Sequence, residues 1–107
     1  MEYCMTLTTC PNTKEAQCLA EKLVEEKLAA CVQLSDIQSY YVWKNQACAE
    51  PEVRLTIKTR AQLYPLVAEF IKKQHRYEVP QMIQVPVTNG SAEFLEWIRQ
   101  NTSSAME

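Results

Sequence analysis

The sequence predicts an α+β domain in the order βαββαβ with one more helix at its C-terminal end. Such a chain folds as a four-stranded antiparallel sheet with two helices on one face. Three observations carry this. Ala16, Leu19, Ala20, Leu23, Val24 and Leu28 recur at helical spacing, as do Leu63, Leu66, Val67, Phe70 and Ile71. Residues 53–59 alternate strictly between apolar and polar, the signature of a half-buried strand. One Gly and five Pro in 107 residues leave little room for long loops, and 12.3 kDa is enough for a single core.

Each element follows in order. Residues 3–9 mix Thr with apolar side chains and form the first strand, which Cys10 and Pro11 end. Asn12 offers an N-cap and Glu15 stands three residues on, the pattern of a capping box. Residues 31–43 are extended, with Asp36 marking a bulge or bend. Residues 44–50 are polar and read as a hairpin loop, followed by the strand at 53–59. Pro65 belongs in the first turn of the second helix, because an interior proline costs about 3 kcal/mol. Lys72, Lys73, His75 and Arg76 cluster at its C-terminal end, where positive charge suits the helix dipole. Residues 82–87 form the last strand, and Pro86 places it at an edge or a bulge. Gly90 and Ser91 start the final helix, with Phe94, Leu95, Trp97 and Ile98 directed inward. One domain covers residues 1–102, and residues 103–107 are expected to be a flexible tail. The plan is the ferredoxin-like sandwich.

Its second strand is unusually long. Thirteen extended residues span roughly 40 Å, against about five or six residues for a typical strand. An arm longer than its sheet and ending in Tyr40, Tyr41, Val42 and Trp43 calls for a second subunit to cover it. An oligomer held by shared strands is therefore expected, with short loops and a thermostable assembly.

Composition excludes several classes. A formal net charge of −2 argues against a nucleic-acid surface. RNA recognition on this topology also needs aromatics on the central strands, and the third strand has none. An acylphosphatase-like enzyme needs an Arg and an anion cradle after the first strand, where this chain has Cys10, Pro11, Asn12 and Thr13. No nucleophile and base pairing is visible with one His, so no enzyme is expected. The longest apolar run, residues 28–32, is too short for a membrane span, and no leader peptide shows. Five cysteines without a CxxC pair read as buried thiols in a reducing compartment, which points to the cytoplasm and away from disulfides.

Several stretches together resemble the CutA family of divalent-cation-tolerance proteins. They are Thr8-Thr9-Cys10-Pro11, Leu28-Ala29-Ala30-Cys31-Val32, Ser39-Tyr40-Tyr41-Val42-Trp43, Ile57-Lys58-Thr59 and His75-Arg76-Tyr77-Glu78-Val79-Pro80. Pro86-Val87, Gly90 and Leu95-Glu96-Trp97-Ile98 complete the series, which runs from about residue 3 to residue 100. The resemblance implies a homotrimer with strands paired across subunits and an architecture like that of PII signalling proteins. It also implies a response to metal ions and copper or other divalent-cation binding, with no cofactor required. Similar bacterial proteins have been labelled periplasmic as well as cytoplasmic.

The metal candidates are His75, the only imidazole, and Cys10. The chain departs from the ligand set of metal-binding members. That set resembles a strand-one thiol, a doubled His and a Glu after the Pro; here Thr8, Gln74 with His75, and Gln81 stand in those places. The alternative is a PII-like ligand-binding trimer. Trp43, Glu52, Lys58 and Tyr77 would then line a cleft between subunits and take a small molecule or protein instead of a metal.

Overall fold

The computed structural model describes residues 1–103. Four strands form one antiparallel sheet in the order β2-β3-β1-β4, with β1 Tyr3–Cys10, β2 Cys31–Trp43, β3 Gln46–Arg60 and β4 Ile83–Val87. The helices are α1 Thr13–Glu25, α2 Tyr64–Gln74 and α3 Ala92–Gln100, and a short 3-10 turn, Ala61–Leu63, leads into α2. This is the expected ferredoxin-like plan with its extra C-terminal helix.

One sheet face carries the core. Cys4, Thr6, Thr8 and Cys10 of β1 pair in register with Thr59, Ile57, Leu55 and Val53 of β3, and all eight are buried. Ala16, Leu19 and Leu23 of α1, with Val67 and Ile71 of α2, close over them. Asn12 caps α1 by accepting from the Glu15 N–H at 2.9 Å, as the capping box requires. The helix ends earlier than its apolar pattern suggests. Lys27 adopts a positive φ of 58°, and the Leu28 N–H turns back to the Leu23 carbonyl at 3.0 Å. Leu28 thus packs on the core from beyond the helix, and Val24 is left exposed.

Other expectations are corrected. β1 includes Cys10, and the ladder passes Asp36 opposite Val53 without a bulge. The hairpin loop is not residues 44–50. Trp43 pairs with Gln46, so the turn is Lys44 and Asn45 alone, both at positive φ, 49° and 65°. Residues 46–50 hid a strand because Ala47, Cys48 and Ala49, small side chains between Gln46 and Glu50, show neither alternation nor β-branched residues, which an exposed arm does not require. Pro51 is tolerated there because β3 has only β2 beside it before Val53. Pro86 lies in the edge strand β4, as its missing N–H demanded.

α3 is corrected as well. Ile98 is buried, but Phe94 and Trp97 are each 41% exposed and stack on each other at 5.6 Å. Thr102 is buried, its hydroxyl accepting from Arg60 Nε at 3.0 Å, and the Ser103 N–H donates to the Lys27 carbonyl at 2.7 Å. The flexible tail expected at residues 103–107 otherwise lies outside the described residues.

Thr8 supplies a stability prediction. Its hydroxyl is buried with no hydrogen-bond partner among the described residues. A buried unpaired hydroxyl costs about 1–3 kcal/mol, and Val has the same shape and strand preference. Thr8→Val should therefore raise stability by about 1 kcal/mol and the melting temperature by several degrees. A melt unchanged or lowered would show that the hydroxyl is satisfied in solution.

Candidate functional site

The end of α2 meets the end of β1 beside the arm. His75 is the C-cap of α2, and its backbone N–H donates to the Ile71 carbonyl at 2.8 Å. Its ring is held at both nitrogens. Nε2 lies 2.6 Å from the Thr9 carbonyl oxygen, which can only accept, so Nε2 carries the proton. Nδ1 therefore offers a lone pair, and the Tyr77 N–H donates to it at 3.1 Å. The two rings stand 4.6 Å apart, tilted by 40°. Tyr77 Oη then donates to Glu52 Oε2 at 2.9 Å. One imidazole thus links β1, the segment after α2 and the base of the arm.

Cys10 Sγ lies 3.9 Å from His75 Nε2. Burial pushes this thiol up to about 11, and the carboxylates of Glu15 and Glu52 add to the shift. It is therefore a neutral thiol at pH 7, neither nucleophile nor ready thiolate ligand. Burial also raises Tyr77, followed by its hydrogen bond to Glu52 and the charges of Glu52 and Glu50. Tyr41 is raised by desolvation and by Glu50.

Two hollows flank this linkage. A small one of about 110 Å³ is lined by Cys10, His75, Cys18 and Gln74 among others. A larger cleft of about 690 Å³ runs between the arm and the segment after α2, lined by Tyr41, Trp43, Glu50, Glu52, Tyr77 and Glu78 among others. The structure therefore brings Trp43, Glu52 and Tyr77 to one cleft, and Cys10 and His75 together beside it. Lys58 does not join them within the chain. It is six residues along β3 from Glu52, roughly 20 Å, and its ammonium stands 5.6 Å from the Phe94 ring. Glu50 and Arg76 are additions that sequence reasoning missed. The two-residue turn would have found Glu50, since it fixes that residue opposite Ser39 on the arm.

The donor set does not fit a resident metal within one chain. Among the described residues, no three His, Cys, Asp or Glu side chains converge as ligands. The one lone pair of His75 is occupied by Tyr77. At the positions of the family ligand set, Thr8 is buried in the core and Gln74 Oε1 accepts from Lys22 Nζ at 3.0 Å.

Fold and site define a ferredoxin-like protein with an overlong hairpin arm, an imidazole-locked joint at its base and an acidic, aromatic cleft beside it. The chain belongs to the CutA1 divalent ion tolerance protein family, whose model matches residues 4–101. It is 42% identical over 100 residues to human Protein CutA, covering 92% of this chain and 56% of that protein. It is 36% identical over 99 residues to the divalent-cation tolerance protein CutA of Thermus thermophilus, covering 92% and 96%. The chain thus spans about half the length of its mammalian relatives and nearly all of the bacterial one. Among solved structures, CutA1 of Shewanella sp. SIB1 superposes with a TM-score of 0.92 at 39% identity, covering 96% of this chain and 97% of that one. CutA1 of Oryza sativa gives 0.93 at 34% identity, covering 97% and 96%. Relatives carry different destinations: the Arabidopsis thaliana protein is named chloroplastic, and the Archaeoglobus fulgidus structure is titled periplasmic. No helix among the described residues is long and apolar enough to cross a membrane.

Proposed function

We propose that this chain serves divalent-cation tolerance as a homotrimer, in the cytoplasm and without catalysing a reaction. The family match over residues 4–101 carries the reading. The relatives from Thermus thermophilus and Archaeoglobus fulgidus are named divalent-cation tolerance proteins. The arm supports the assembly. Beyond Asp36 and Val53 it pairs only with itself, and Tyr40 and Val42 near its tip are 79% and 73% exposed. Such a surface is stabilised when a neighbouring copy covers it. The five cysteines are free thiols, which suits a reducing compartment. At this joint Cys10 is a neutral thiol and both ring nitrogens of His75 are hydrogen-bonded, an arrangement that favours a structural role for the pair over covalent chemistry. Copper or another divalent cation would draw ligands from more than one subunit, since His75 and Cys10 are committed within one.

Two measurements test this. Cells lacking the gene should stop growing at a copper load that the parent survives, and should recover when the gene is restored. Sedimentation equilibrium should give three times the 12.3 kDa chain mass. Unchanged copper tolerance would overturn the function, and a monomer mass would overturn the assembly.

A further inference from the structure

We propose that Asn89 and Gly90 form a self-modifying site: the side-chain amide of Asn89 closes on the Gly90 nitrogen to a succinimide, which water reopens as aspartate or as isoaspartate, and the isoaspartate loosens the start of α3. The inference does not rest on the tolerance reading.

The pair joins β4 to α3. Residues 88–91 belong to neither element, and every residue from 88 to 94 is exposed. The Gly90 N–H donates to Oδ1 of Asn89 itself at 2.9 Å. A carbonyl bond is about 1.23 Å long, so Cγ stands no more than about 4 Å from that nitrogen. The attacking and attacked atoms are therefore neighbours before any reaction begins. Gly90 has no side chain to shield its nitrogen. The turn is also not a surface that a neighbouring copy is needed to cover. Residues 88–93 are small or polar, whereas the exposed apolar side chains lie on the arm and elsewhere.

The step balances with water alone. Hydroxide takes the Gly90 amide proton, the nitrogen bonds to Cγ, and the Cγ–Nδ2 bond breaks. Nδ2 leaves as ammonia with a proton from water, which restores the hydroxide. Water then adds to one of the two ring carbonyls. Opening on one side gives aspartate; opening on the other gives isoaspartate, in which the side-chain carbon has joined the main chain. Either product adds one negative charge.

The other three asparagines are held differently. Asn12 precedes the branched Thr13, and its amide is tied at both ends to Glu15. Asn101 precedes Thr102, and its Nδ2 donates to the Trp97 carbonyl at 2.9 Å. Asn45 precedes Gln46, which the ladder pairs with Trp43. Packing explains why the reactive pair is kept. A Cβ on Gly90 would stand 3.2 Å from Leu95 Cδ2 and 3.3 Å from its Cγ, so the entry to α3 favours glycine.

The two products act differently on α3. Ser91 caps the helix, accepting from the Phe94 N–H at 3.4 Å. Aspartate keeps the backbone length, and its charge suits the helix N-terminus. Isoaspartate lengthens the main chain just before the cap and shifts both the Ser91 hydroxyl and the Gly90–Leu95 contact.

Incubation of the intact oligomer at pH 8, followed by peptide mass mapping, tests the proposal. The peptide holding Asn89 should gain about 1 Da and separate into two products. Asn89 should react at least about tenfold faster than Asn12, Asn45 or Asn101. Asn89→Gln should lose the change, because its ring would need one more atom, and Gly90→Ala should slow it several-fold. Asn89→Gln leaves the Leu95 contact untouched and carries the test if Gly90→Ala fails to fold. Aged wild type should melt a few degrees below fresh protein, while Asn89→Asp, which has the charge without the extra backbone carbon, should melt like fresh protein. An unchanged Asn89 mass in the folded oligomer, equal rates at all the asparagines, a mass gain in that peptide that survives Asn89→Gln, or aged protein that melts like Asn89→Asp would each overturn the proposal.

Discussion

His75→Ala is expected to remove about 2–4 kcal/mol of folding stability. The imidazole makes two hydrogen bonds to backbone groups, the Thr9 carbonyl and the Tyr77 N–H. Each group left unpaired in a partly buried position costs about 1–3 kcal/mol. The loss should also be felt beyond the joint. Without its acceptor at Nδ1, the Tyr77 backbone loses its anchor, and the phenol loses the ring contact that aims it at Glu52. His75→Asn separates the two bonds. A carboxamide oxygen can replace Nδ1 as acceptor for Tyr77, but the short side chain does not reach Thr9. Its cost should fall between wild type and His75→Ala in urea unfolding at fixed protein concentration. If His75→Ala melts like wild type, the imidazole is a surface ornament and does not link β1 to the segment after α2 in solution.

That joint explains which parts of the site the sequence made legible. His75, Tyr77, Glu52 and Cys10 are four of the six residues the sequence singled out, and they meet around one ring. Their types announced chemistry: one imidazole, a thiol, a phenol and a carboxylate. What their types could not announce was commitment. A histidine reads as a free ligand until its neighbours are known, and here the neighbours are main-chain groups, Thr9 C=O and Tyr77 N–H. Backbone partners leave no trace in side-chain identity. Lys58 stands apart from the others within one chain, six residues along β3 from Glu52, so the cleft that the sequence reading placed between subunits would need a second copy to bring it in.

The fold was legible where burial enforces a pattern. The strict alternation of Val53, Leu55 and Ile57 and the helical stripe of Ala16, Leu19 and Leu23 both face the core. It was less so where burial ends. On the arm no face is packed within the chain, so residues 46–50 carry no alternation to read. Phe94 and Trp97 were expected inside because large aromatics usually are. Their exposure on α3 follows from a helix that meets the sheet with Ile98, while the two rings cover each other.

Alkaline pH should destabilise the protein through the same joint. The Cys10 thiol titrates near 9.0 when unfolded and at about 11 when folded. Both states are protonated below pH 9, so the stabilisation is complete there. Between pH 9 and about 11 the unfolded chain releases the proton first, so the unfolded state binds fewer protons and stability falls as pH rises. The rise from 9.0 to about 11 corresponds to roughly 2–3 kcal/mol, and Cys10 is only 3% exposed, so solvent screening removes little of it. Tyr77 acts in the same direction, its loss beginning above its unfolded value of 10.0. The comparison that isolates Cys10 is urea unfolding of reduced wild type and Cys10→Ala at pH 7 and pH 10.5. Lysine titration and any change in assembly affect both proteins alike. Cys10→Ala should start lower, because it leaves a small cavity, but should lose less between the two pH values. Tyr77→Phe should likewise flatten the remaining slope above pH 10. Parallel losses in wild type and Cys10→Ala would mean that the thiol is solvated in solution, and that β1 opens at Cys10 far enough to admit water to the His75 ring.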